Sequence, residues 1–173
     1  MGRTLERWRP GYALLLLVAV VCAALVIRDA AQIGLSWATS YDGTDPTPCA
    51  SPSQDVSVRA KAPLFAADHE RIGTLLLRYS PRCATEWGQF VLTPAAEKRL
   101  LGRAIEVIAI RPADNRVTVS ETALVGGRNG RYGYGNQLGA NPCVRAQARL
   151  LAGHGQPAGR LAQTECQGLP AGQ

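Results

Sequence analysis

LLLRYSPRCATEWGQF, residues 75–90, packs an apolar strand, a proline-containing turn, a cysteine and a tryptophan into one short stretch. Strand alternation puts Leu75, Leu77 and Tyr79 on one face of RIGTLLLRYS (71–80) and Ile72, Thr74, Leu76 and Arg78 on the other. That is too apolar for a strand with one face in water, so the pattern predicts a central strand. Residues 80–83 make a short connection, and 84–92 return with Trp87, Phe90 and Val91, which predicts a hairpin. Gly88, beside Trp87, marks either a bulge or a close approach of another chain segment.

Downstream, Thr93-Pro94 reads as a helix start, with the hydroxyl as N-cap and proline at the first helical position; Leu100 and Leu101 follow, and Gly102 supplies the stop. That allows about two turns of helix. Residues 103–110 and 117–125, rich in Ile and Val around a PADN turn, predict a second hairpin. GGRNGRYGYG (126–135) has five glycines in ten positions, too permissive for regular structure, and is expected to be an exposed loop. The last pair, 143–152 and 160–166, flanks GHGQPAG; a hairpin with position sums near 309 sets Cys143 opposite Cys166.

Upstream, DAAQIGLSWATSYDGTDPTPCASPSQD (29–55) carries three prolines and many Ser, Thr and Asp residues, the composition of a stalk and then a loop. YDGTD (41–45) lacks the alternate-residue acidic ladder of a calcium loop; Asp-Gly and Asp-Pro are turn chemistry. Before it, GYALLLLVAVVCAALVI (11–27) has no charge, and Arg3, Arg7 and Arg9 precede it. As a helix this run extends about 25 Å, close to a bilayer core once Trp8, Tyr12 and snorkelling arginines are counted. The flanking charges predict a single span with the N-terminus inside and the bulk of the chain outside. The alternative is a cleaved signal peptide and a secreted product. Cys22 does not read as a lipidation site, because Val20 and Val21 precede it where a lipid-modified cysteine wants a small residue.

The expected organisation is therefore a cytoplasmic stub (1–10), a transmembrane anchor (11–27), a stalk (28–40), an extracytoplasmic β domain (41–167) and a flexible tail (168–173). The fold class is mainly β: a small antiparallel barrel or sandwich of six to eight short strands with one short helix. Net charge is +6, but 17 arginines against two lysines in an Ala- and Gly-rich chain reflect compositional bias, and from residue 29 onward the balance is 15 basic to 12 acidic with no basic stripe. A nucleic-acid partner is not expected.

Cys49, Cys83, Cys143 and Cys166 form an even set outside the membrane, which predicts disulfides with three possible connectivities. Sequence alone does not select one; 49–83 and 143–166 are preferred because each joins neighbouring segments. A zinc site is not expected, since paired C-x2-C spacing is missing. For catalysis, His69 and His154 are the only histidines, and neither sits in a recognised motif. Asp68-His69-Glu70 reads as a solvated turn. No GxSxG, HExxH, dinucleotide fingerprint or P-loop lysine occurs, so no catalytic residue, metal or cofactor is assigned. The weak preference for a contact surface falls on Arg128, Arg131, Tyr132 and Tyr134, a mixture suited to sugars, anionic polymers or protein surfaces.

YDGTDPTPCA followed by GTLLLRYSPRCATEWGQF resembles the signature of domain of unknown function 2690, a family of exported and membrane-anchored actinobacterial proteins. The resemblance covers residues 41–92 and weakens afterwards, with a distant echo in NPCVRAQARL and QTEC. It implies a bridge between Cys49 and Cys83. The family's additional cysteine before the DG-x-DP segment is replaced here by Ser40 and Tyr41, so a third bridge is not implied. With no activity assigned to the family, the resemblance implies placement and fold and no catalytic residue. The functional expectation is a binding or interaction module at the cell envelope, contacting a cell-wall polymer or an envelope protein, with an envelope hydrolase using His69 or His154 as the alternative.

Overall fold

The computed structural model describes residues 19–23, 41–50, 55–125 and 130–166, with the side chain of His154 outside that set. The chain forms two compact units, Met1–Ser36 and Trp37–Gln173. In the first, residues 19–23 are helical and exposed, and among the described residues no helix is long and apolar enough to cross a membrane. The remainder of the 11–27 run, the 1–10 stub, the 28–40 stalk and the 168–173 tail lie outside the described residues.

The second unit is mainly β, built as two antiparallel sheets. The first is ordered β6-β3-β2-β1-β9, with β7 also paired to β3. Its strands are β1 (Ser57–Ala66), β2 (Arg71–Ser80), β3 (Thr85–Leu92), β6 (Tyr132–Tyr134), β7 (Leu138–Gly139) and β9 (Gly159–Arg160). The second sheet runs β10-β8-β4-β5, from β4 (Ala104–Arg111), β5 (Arg116–Ala123), β8 (Arg145–Leu151) and β10 (Ala162–Gln163). Among the described residues ten strands replace the expected six to eight, because β7, β9 and β10 are two-residue pairings too short to leave a periodic signal.

β2 is central, flanked by β1 and β3, as its apolar character predicts. Leu75 and Leu77 are fully buried against the second sheet, while Thr74, Leu76 and Arg78 on the outer face are half-buried. The β2–β3 hairpin runs without a register break from Gly73↔Leu92 to Ser80↔Thr85. Gly88 is therefore a close approach and no bulge: a Cβ there would stand 2.7 Å from Val107 Cγ1 and 3.1 Å from Ala146 Cβ, where the second sheet presses on β3. Phe90, Leu92, Ile105, Val107, Val144 and Leu150 complete the interior around that contact. The helix Pro94–Arg99 starts as expected, with the Thr93 hydroxyl accepting from the Ala96 N–H at 3.2 Å, and Gly102 follows it at φ +78°.

Two expectations are corrected. The glycine-rich stretch is not wholly irregular, since Tyr132–Tyr134 pair with β3 as Gln89↔Tyr134, Phe90↔Gly133 and Val91↔Tyr132. Gly133 is what permits this, because a Cβ there would lie 2.7 Å from the Phe90 ring. The C-terminal hairpin is split between the sheets: Ala162↔Ala148 and Gln163↔Gln147 pair as expected in the second, but Arg160 pairs with Phe65 of the first. The absence of a side chain at Gly159 allows that crossing, as its Cβ would sit 2.7 Å from the Phe65 carbonyl oxygen.

Candidate functional site

The segment 41–50 organises the site. The Asp42 side chain is buried and accepts a bidentate pair from Arg111 at 3.0 and 2.7 Å, while its Oδ1 also takes the Gly139 N–H at 2.7 Å. The same guanidinium donates to Asp114 at 3.0 and 2.7 Å. Asp114, half-exposed at the β4–β5 turn, is held down at about 2 by these hydrogen bonds, and Arg111 is pushed further up, first by its bonds to Asp114 and then by Asp42. Gly43, at φ +79°, donates to the Gln137 carbonyl at 2.9 Å. Gln137 is fully buried, and its side chain accepts from Thr85 at 2.6 Å and donates to Thr44 Oγ1 at 3.0 Å and the Asp45 carbonyl at 3.2 Å. Asp45 caps the following 3-10 turn, Thr47–Cys49, by accepting from the Thr47 N–H at 2.7 Å. YDGTD is thus turn and anchor, and among the described residues no group of three or more His, Cys, Asp or Glu side chains is placed to hold a metal.

Both preferred disulfides are present, Cys49–Cys83 and Cys143–Cys166. Such bridges belong to an oxidising compartment. The first staples the 3-10 turn to the β2–β3 connection, and this leaves a recess of about 290 Å³ on the outer face of the first sheet. Its floor is Arg78, Trp87 and Gln89; one wall is Tyr132 and Tyr134, and the other is Pro46, Thr47 and Ala50. Trp87 is only 2% exposed and closes the bottom, whereas Tyr132 and Tyr134 are 42% and 36% exposed. The two walls touch through a 2.8 Å hydrogen bond between the Thr47 and Tyr134 hydroxyls.

Of the expected contact residues, the structure brings Tyr132 and Tyr134 together on one edge strand and sends Arg131 elsewhere, 3.7 Å from Glu97 of the helix. Arg128 lies outside the described residues. Sequence reasoning missed Arg78, whose Nε is buried without a hydrogen-bond acceptor at the floor of the recess. The signal was present in the even-numbered face of 71–80, where a single cation stands among Thr74 and Leu76.

His69 occupies the β1–β2 turn at φ 63°, exposed, and among the described residues no side-chain partner of its imidazole is found. A recess at that end is lined by Asp68, Arg99 and Arg103 and does not include His69. The side chain of His154 is not among the described ones.

A second unusual group lies between the two sheets. Glu86 is fully buried, with Oε2 accepting from the Val144 N–H at 3.0 Å and Oε1 without a hydrogen bond. Burial pushes its carboxyl up to about 7, against the Val144 bond and Arg59, whose Nε is 3.8 Å away. A register shift between Val58 and Ala60 makes Arg59 the extra residue of a bulge, and the bulge turns its guanidinium inward over the Tyr79 ring at 5.0 Å.

Fold and site together define a disulfide-stapled, two-sheet β domain with an aromatic recess on one outer face. Comparison with family models, with curated proteins and with solved structures finds no match to the chain.

Proposed function

We propose that this protein is a non-enzymatic binding module of the cell envelope, held by the 11–27 run as a single-pass anchor with its β domain outside. In this reading the domain recognises a cell-wall polymer or an envelope protein through the recess between Tyr132, Tyr134 and the 3-10 turn. The observation that carries it is the recess itself: two part-exposed tyrosines stand over a floor that offers Arg78 and Gln89, a combination of ring faces and directed donors. Tyrosine supplies rigid, amphipathic contact area at low entropic cost. The two disulfides agree with an exported domain. An envelope hydrolase would need a histidine set beside a nucleophile or carboxylate in a cleft, and His69 on its exposed turn gives that alternative no support.

The test is sedimentation of the detergent-solubilised full-length chain with detergent-washed envelopes, so that retention does not come from the 11–27 run, wild type against Tyr132→Ala/Tyr134→Ala. The double variant is expected to lose at least tenfold in retained protein. Retention equal to wild type removes the recess from the proposal.

A further inference from the structure

The recess is one end of a longer surface. On the outer face of the first sheet, side chains align in rows that cross the strands, because directly paired residues share a face. One row runs Tyr134, Gln89, Leu76, Lys61 from β6 through β3 and β2 to β1, every step a direct register pair. A row beside it runs Tyr132, Val91, Thr74, Pro63 by the same pairings. On the other side stand Trp87 and Arg78, with Val58 beyond. Three strand spacings make this path about 14 Å long. At its far end a second recess of about 400 Å³ is lined by Lys61, Pro63, Arg71, Thr74 and Leu76.

Among the described residues the charge lining this surface has one sign. Arg78 has an orphaned Nε; Arg71 bonds the Gly73 carbonyl, at 3.4 Å, and the Thr74 hydroxyl, at 3.1 Å; and Lys61 is exposed. None of the three is ion-paired among the described residues, and no carboxylate is among the described residues lining either recess. Elsewhere in the domain several arginines meet carboxylates, Arg99 with Glu70, Arg111 with Asp42 and Asp114, Arg149 with Glu106, while Arg145 on the second sheet also has a buried Nε without an acceptor. A buried donor without an acceptor requires an explanation, and a charged acceptor on a ligand supplies one.

From these observations we infer that the outer face of the first sheet is a binding track for an anionic glycan, a polysaccharide bearing carboxylate or phosphate groups, laid across the strands from the tyrosine recess to Lys61 and Arg71. The inference rests on the binding-module reading and specifies its ligand. The tyrosine rings take sugar faces, and Arg78, Arg71 and Lys61 take the negative groups at intervals along the chain. An extended peptide adds to a sheet edge through backbone hydrogen bonds, whereas this surface crosses the face of the sheet. A flat lipid headgroup layer does not reach Arg78 at the bottom of a walled recess.

The experiment is affinity electrophoresis of the full-length chain in gels containing polygalacturonate or its full methyl ester, and phosphorylated dextran or plain dextran. At least one charged polymer is expected to bind tenfold or more tightly than its neutral parent, with affinity falling as salt rises. Arg78→Gln and Lys61→Gln each are expected to weaken that binding about tenfold, Arg78→Lys to restore part of it, and Arg149→Gln on the other sheet to leave it unchanged. Equal affinity for charged and neutral polymers overturns the anionic assignment while leaving the binding module standing. Binding to none of the four, with envelope sedimentation intact, assigns the recess to a protein partner and overturns the glycan. Arg78-dependent binding to phosphatidylglycerol vesicles in preference to the polymers overturns it in favour of a lipid surface.

Discussion

The segment 41–50 has two sides with opposite electrostatic character. On the inner side, Asp42, Gly43, Thr44 and Asp45 meet Arg111, Gln137 and Gly139, and the donors there find acceptors. On the outer side, Pro46, Thr47 and Ala50 wall a recess in which Arg78 has a donor without an acceptor. Satisfied buried networks fix a conformation, and an unsatisfied buried donor calls for an explanation. The contrast separates the residues that hold this domain together from those it presents.

The comparison is broken most severely on the inner side. Arg111→Met strands the buried carboxylate of Asp42, 4% exposed, and is expected to cost about 3–5 kcal/mol in urea unfolding. Loss of less than about 1 kcal/mol shows that Asp42 is held by Gly139 and solvent instead. Next is the staple that carries the segment: Cys49→Ala/Cys83→Ala opens a bridge with a sequence separation of 34 residues and is expected to cost about 4 kcal/mol by loop-closure entropy. The same double variant is expected to weaken envelope binding, because one wall of the recess loses its tether. Unchanged binding means the Asp42 contacts alone keep that wall in place.

Smaller and dependent on pH is the effect of Glu86. Its carboxyl, raised in the fold from 4.5 to about 7, makes the folded state hold a proton that the unfolded chain has released, so stability falls as pH rises from about 4.5 to 7 and levels off above. That rise corresponds to about 3 kcal/mol between the ends of the window. Glu86→Gln is expected to flatten the dependence between pH 5 and 8, and a variant that keeps the wild-type slope assigns it to another group. Asp114 works in the opposite sense at lower pH: held at about 2 by Arg111, it contributes stability above pH 4 that is lost on acidification. The smallest effect on stability belongs to the outer side. Tyr132→Ala/Tyr134→Ala is expected to change unfolding free energy by less than about 1 kcal/mol, as both rings are part-exposed on an edge strand, while removing envelope binding. A larger loss makes the tyrosines part of the scaffold.

Much of the scaffold was legible because local rules governed it. The hairpin of β2 and β3, the capped helix after Thr93 and the PADN hairpin follow from alternation, capping and turn residues that act within a few positions of each other. The site was legible only in fragments. Tyr132 and Tyr134 stood out by composition, but the glycines around them suggested irregular chain, since a strand that needs Gly133 to clear Phe90 carries no alternation of its own. Arg78 was hidden because its recess is closed by residues 28 to 32 positions earlier and 54 to 56 later, and neither distance leaves a mark on the strand. Asp42 likewise read as a turn former; its partner is 69 residues away.

By itself, the sequence determined the β class, the central place of 71–80, the four cysteines as a paired set and the turns that separate the strands. These depend on near neighbours and on the burial of apolar faces. Only the tertiary structure decided that Asp42 would be locked by Arg111, that Gly159 would let the chain cross between sheets, and that tyrosines and unpaired cations would share one face. Those outcomes depend on which distant groups arrive at hydrogen-bond range, and that is set by strand register and sheet order.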